Sequence, residues 1–262
     1  MCRRAGGRAV GLTILLMVAL FAGISSRAGD YSFTNALTLA AAAERGGDVS
    51  AALKIYDAAE QAEATNSASL CELTRKYCDL MYLTNAAPMQ KDLAARALAC
   101  SFLAVKANSN NATAHACVAV CYAKNCPFSD LKTQVSYSRL IKLESEKAVA
   151  LDPKQDIGYY LLGRWHYGVA NMGLLSRTFV KVVYGGLPPA SNDEAITNFK
   201  QAIEVTPGRI INHAGLAMVY ETVGRRELEI AELKKCRDLQ PISLEDRDAQ
   251  VEAVNKLAKL GQ

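Results

Sequence analysis

Three prolines set the ruler of this chain. Pro153, Pro207 and Pro241 each follow a stretch with helical apolar spacing, and each lies five residues after a small residue: Ala148, Ala202 and Cys236. The step from Pro207 to Pro241 is 34 residues. A step of that length, with Pro where a second helix stops, is the period of stacked helix–turn–helix units. From Tyr31 onward alanine is abundant, apolar residues recur three and four apart, and strand-type alternation is absent. The chain is therefore expected to be all-α.

Stepping by 34 finds the other marks of the unit. First helices should show a large residue, an apolar one three on, a small one next and an aromatic three further. Leu70-Leu73-Thr74-Tyr77, His115-Val118-Ala119-Tyr122, Tyr159-Leu162-Gly163-His166 and His213-Leu216-Ala217-Tyr220 occupy those slots, with Ala36-Leu39-Ala40-Ala43 as a weaker first copy. Second helices should show small, aromatic and small residues four and three apart, as Ala52-Tyr56-Ala59 and Ala195-Phe199-Ala202 do. Ala97-Ser101-Ala104 and Ile141-Ser145-Ala148 match in part, and Glu229-Leu233-Cys236 weakly. Small residues let paired helices approach, and large ones plug the seam between neighbours. Gly47 and Gly224 supply backbone freedom at the corners.

From Ala64 to Ser109, Pro153, Pro207 and Pro241 the steps are 45, 44, 54 and 34 residues, or 34 plus insertions of 11, 10, 20 and none. These marks predict a tetratricopeptide-like α-solenoid of about five helix–turn–helix repeats over residues 33–243. The inserted segment falls at about 171–192, and residues 244–262 are expected to form a C-terminal capping helix. Ser243 and Asp246 resemble a capping-box start for that helix, with Val251, Val254, Leu257 and Ala258 as its apolar stripe.

Charge decides what the chain does not seek. The formal net charge is +4, but Arg3, Arg4, Arg8 and Arg27 stand in residues 1–28, which hold no acid. The remainder carries 26 bases against 26 acids, so there is no overall electrostatic reason to favour nucleic acid. Residues 1–28 combine a cationic start, an apolar run from Val10 to Ile24 and small residues at Ser26 and Ala28. That is the layout of a signal peptide, with cleavage expected after Ala28 and a periplasmic or secreted destination. An uncleaved membrane anchor is the alternative, although the run is shorter than the ~20 residues of a spanning helix.

The fourth unit carries a more specific pattern. It reads Leu162-Gly-Arg-Trp-His-Tyr-Gly-Val-Ala170, then an insertion ending Tyr184-Gly-Gly-Leu-Pro-Pro-Ala-Ser191, then Glu194-Ala-Ile-Thr-Asn-Phe199 and Ala202 to Pro207-Gly208. This resembles the regulator of microtubule dynamics family, plainly over about residues 156–225 and only generically before that. The resemblance implies a non-enzymatic helical adaptor, some of whose relatives sit at membranes by an N-terminal anchor and contact lipid or other proteins. An exported chain would not meet cytoplasmic microtubules, so only the fold and the adaptor role are carried over.

No nucleophile motif, Gly-rich phosphate loop or zinc spacing appears, so no catalytic residue, metal or cofactor is expected. His115, His166 and His213 occupy large-residue slots in three different units, and seam packing accounts for them. Cys71, Cys78, Cys100, Cys117, Cys121, Cys126 and Cys236 remain after the expected cleavage. An oxidising compartment would invite pairing. Cys71 and Cys78 stand about 10 Å apart along one helix, and Cys117 and Cys121 point in parallel. A bridge from Cys71 or Cys78 to Cys117 or Cys121 is the easier geometry. The concave face, lined by first helices, is the expected binding surface. By register it includes Arg75, Asp79, Lys124, Tyr160, Arg164, Tyr167 and Glu221. Arg and Tyr suit a protein, a peptide or an acidic group, unless Arg164 and Trp165 merely brace the insertion. The insertion itself, with Leu174, Leu175, Phe179, Val182 and Val183 beside Arg177 and Lys181, is expected to close the groove as a wall. The alternative is an amphipathic segment that docks a membrane or gates a lipid or apolar ligand.

Overall fold

The computed structural model describes residues 32–262; the expected export signal lies outside the described residues. Among the described residues there are twelve α-helices and no strand. The first unit pairs α1 (Phe33–Arg45) with α2 (Val49–Ala62), and the second pairs α3 (Ser67–Leu80) with α4 (Ala87–Ala107). The third joins α5 (Ala112–Asn125) to α6 (Leu131–Leu151). In the fourth, α7 (Asp156–Ala170) and α9 (Asn192–Val205) flank an extra helix, α8 (Leu174–Tyr184). The pair α10 (Ile210–Thr222) and α11 (Arg226–Asp238) precedes a final helix, α12 (Leu244–Lys259). Five helix pairs, each packed against its neighbours in the chain, form the tetratricopeptide-like solenoid that the 34-residue step requires.

Local sequence explains where these helices start. Asp48, Asn66, Asn111, Asp130, Ser191 and Ser243 each accept a hydrogen bond from a first-turn N–H, satisfying donors that a helix cannot satisfy itself. Gly47 and Gly224 hold the corners of the first and fifth units with φ of 74° and 73°, a left-handed turn that costs glycine nothing. The extra residues of units two and three lengthen their second helices: α4 and α6 have 21 residues, against 14 in α2 and α9.

The core is built from the slots. Tyr56 and Tyr77 meet edge to face across the first two units at 6.2 Å. Their hydroxyls donate to Glu44 at 2.5 Å and Asp57 at 3.0 Å. Phe199 is wholly buried between α7 and α10, where a Cβ at Gly163 would stand 3.0 Å from its ring and one at Gly215 only 2.3 Å. Close approach at these two glycines admits the ring.

Two expectations are corrected. Leu39 fills a seam slot by register, yet it is exposed, because its unit is the first of the described stack. In α12 the helix buries Ala253 and Leu257 against Ile210, Ala217, Leu233 and Cys236. The stripe read from sequence is thereby split. Val251 and Val254 are 60% and 43% exposed, and Ala258 faces outward with them. The helix has two apolar faces, and only packing shows which one is used.

Candidate functional site

One face each of α3, α5 and α7 looks into a common cavity of about 1020 Å3. Arg75, Asp79, Lys124, Tyr160 and Arg164 line it. Tyr167 and Glu221, from the same predicted row, stand outside it. The Tyr167 hydroxyl is 3.1 Å from Thr222 Oγ1, and Glu221 pairs with Lys256 of α12 at 2.5 Å. The row is continuous along the middle of the solenoid and ends where α12 covers α10.

The far wall comes from elsewhere in the chain. Pro241, Ile242, Leu244, Glu245 and Arg247, in the loop after α11 and the start of α12, fold across the cavity. Three hydrogen bonds at Asp246 and an ion pair across the mouth hold them. The fully buried Asp246 carboxylate accepts from the N–H groups of Ile211 at 3.0 Å and Ile242 at 3.1 Å, while Ser243 Oγ accepts from the Asp246 N–H at 3.1 Å. Asp246 thus ties α12 to the start of α10 instead of completing a capping box with the Ser243 N–H. Across the mouth, Lys124 Nζ donates to the Tyr82 hydroxyl at 2.7 Å and stands 3.5 Å from Glu245. It also lies 4.4 Å from the centroid of the Tyr82 ring. No periodicity of first helices reveals a wall made of the C-terminal loop.

The inserted helix is not that wall, which corrects the expectation that it closes the groove. No residue of 171–192 lines the cavity. Arg139 of α6 donates to the carbonyls of Tyr184 and Gly186, and Arg177 donates back to the Ala170 carbonyl at 2.7 Å. Together with Val180, only 5% exposed, these bonds lay α8 along α6 and turn Leu174 and Leu175 outward at 79% and 87% exposure. Trp165 reaches α6. Its Nε1 donates to the Ser138 carbonyl at 2.8 Å, so the indole joins α7 to α6.

Charge in the groove is uneven. Asp156 holds Arg209 at 2.5 Å, and Glu245 faces Lys124. Arg75, Arg164 and Arg247 are exposed to the same cavity and take part in no ion pair among the described residues. Burial raises the Asp79 carboxyl to about 6, against the pull of Lys76 at 3.9 Å. Three unpaired guanidiniums beside Tyr82 and Tyr160 make a surface suited to carboxylates, through forked hydrogen bonds, and to extended chain.

The histidines lie off this surface. His115 Nδ1 is 2.5 Å from Glu144 and its Nε2 is 2.9 Å from the Ser109 carbonyl. His213 repeats the arrangement with Glu232 at 2.6 Å and the Pro207 carbonyl at 2.9 Å. His166 packs edge-on against Trp165, and burial lowers its pKa. Among the described residues, no group of three or more His, Cys, Asp or Glu side chains is placed to hold a metal ion. Cys71, Cys78, Cys117 and Cys121 are free thiols on the facing sides of α3 and α5.

Comparison with known proteins extends the similarity well beyond the fourth unit. The family model described as regulator of microtubule dynamics protein 1–3 matches residues 35–261. Regulator of microtubule dynamics protein 3 of Xenopus laevis is 30% identical over 185 residues, covering 69% of this chain and 39% of that protein. Protein 1 of Bos taurus is 28% identical over 207 residues, covering 78% of this chain and 65% of the relative. The chain therefore spans only part of the length of these relatives. Among solved structures, a thermophilic tetratricopeptide protein of Thermus thermophilus superposes with a TM-score of 0.59 at 17% identity, covering 85% of this chain and 99% of its own. That likeness concerns the fold.

Proposed function

Because this chain belongs to the regulator of microtubule dynamics protein 1–3 family, we propose that it is a non-enzymatic scaffold whose groove receives an acidic protein or peptide segment. The observation that carries the reading is the trio Arg75, Arg164 and Arg247, all facing one cavity and all without a carboxylate partner among the described residues. A bound carboxylate would replace hydration of these guanidiniums with charge-assisted hydrogen bonds. Tyr82 and Tyr160 add contact area at low ordering cost. A carrier of lipid or apolar ligand gated by the inserted helix finds less support, since α8 borders no part of the cavity. Export with cleavage after Ala28 is proposed from the layout of residues 1–28 alone. An intact mass that retains those residues in the native host would overturn it.

The test is fluorescence anisotropy with labelled peptides of equal length, one rich in Asp and Glu and one rich in Lys. The acidic peptide should bind and the basic one should not. Replacing Arg75, Arg164 and Arg247 together by Ala should weaken binding by roughly tenfold or more, as expected when charge-assisted hydrogen bonds are lost. Equal affinity for both peptides, or an unchanged triple variant, would overturn the reading.

A further inference from the structure

Helices α3 and α5 are the parallel first helices of neighbouring units, and they bring four cysteines together along one buried seam. Cys117 Sγ lies 3.8 Å from the Cys71 carbonyl oxygen. Cys121, one turn after Cys117, and Cys78, two turns after Cys71, lie farther along the same buried seam. All four are buried in one apolar cluster. The remaining cysteines are engaged elsewhere: Cys100 Sγ donates to the Leu70 carbonyl at 3.4 Å and Cys236 Sγ to the Ile210 carbonyl at 3.7 Å. Cys126 follows the end of α5 in a short 3-10 turn.

We propose that Cys71–Cys117 and Cys78–Cys121 are two dithiol sites that close into inter-repeat disulfides on reaction with a small-molecule disulfide such as oxidised glutathione. One member of each pair, Cys117 or Cys78, lines the groove cavity, which gives such an oxidant its approach. That cysteine loses its proton to water, and its thiolate attacks the oxidant. A mixed disulfide forms and one small thiolate leaves, taking up a proton. The partner, Cys71 or Cys121, then attacks the protein-side sulfur as thiolate and expels the second small thiol. Two protein thiols are oxidised to one disulfide while one small disulfide is reduced to two thiols.

Either bond fastens unit two to unit three and fixes the curvature of the groove between them. The inference is independent of what the groove binds.

The experiment incubates the full folded chain with oxidised glutathione, blocks residual thiols with N-ethylmaleimide after timed quenching, and maps peptides after denaturation. The expected map joins Cys71 to Cys117 and Cys78 to Cys121, with Cys100, Cys126 and Cys236 alkylated throughout. A Cys117→Ala variant should leave Cys71 alkylated and still form Cys78–Cys121. Linkage of Cys71 to Cys121, glutathione adducts that never resolve, or all of these thiols remaining alkylatable would each overturn the proposal. Because the wild-type map is decisive by itself, the conclusion survives a variant that fails to fold.

Discussion

At His213, both ring nitrogens face acceptors: a carboxylate at Nδ1 and a carbonyl at Nε2. Burial works against the Glu232 carboxylate, but His213 and Lys235 together bring it below its usual pKa. A depressed folded pKa contributes stability above the unfolded value near 4.5, and that stability is lost as pH falls through the folded value. His213→Gln should cost about 1–3 kcal/mol at pH 7, by leaving a largely buried carboxylate short of a partner. The deficit should shrink as the pH approaches about 3. Urea unfolding of both proteins at the two pH values reads this, and equal deficits would contradict it. The dyad was partly legible. His and Glu are 29 residues apart in unit three and 19 in unit five, a difference equal to the 10-residue insertion assigned to unit three. Applying the repeat offset to polar residues as well as apolar ones would have paired them.

At the scale of the helix, the Phe199 pocket shows two effects opposed at one position. Alanine favours a helix over glycine by about 1 kcal/mol, which would make Gly215→Ala stabilising in isolation. The Cβ it adds would stand 2.3 Å from a ring with no room to move, since Phe199 is wholly buried. Overpacking of that kind costs about 1–3 kcal/mol, so Gly215→Ala should lower the unfolding temperature, and Gly163→Ala should do so less because its closest contact is 3.0 Å. An unfolding temperature equal to or above that of the parent for Gly215→Ala would show that the ring yields. The Gly163 slot was visible in the repeat register; Gly215 falls outside it and became meaningful only with Phe199 seated across from it. The same limit governs α8 and α12. Each has enough apolar surface for two faces, and periodicity alone does not choose between them.

For the whole molecule, the solenoid curls until its last helix meets its middle. Lys124 and Glu245 are 121 residues apart in sequence and 3.5 Å apart in space. A pair this exposed contributes little by itself, about 1 kcal/mol or less, so Asp246 and the α12 core contacts carry most of the closure. Glu245→Lys places like charges at the mouth, and Lys124 cannot withdraw without leaving Tyr82. The expected result is a larger radius of gyration by small-angle scattering at low salt, recovering as salt screens the repulsion, with helicity unchanged. An identical scattering profile at low salt would show that the mouth is held by the core contacts alone.

What the sequence determined by itself was everything that repeats: helix pairs of known length, small residues where helices approach, prolines where they end, and the first-helix face that looks inward. Those features depend on neighbours within about one period, and local spacing encodes them. Only the tertiary structure decided what closes the groove, which cysteines face each other, and which apolar face of α12 is buried. Each of these depends on the accumulated rotation of five stacked units. Small angles at every interface add up along the chain, and no single stretch of residues records their sum.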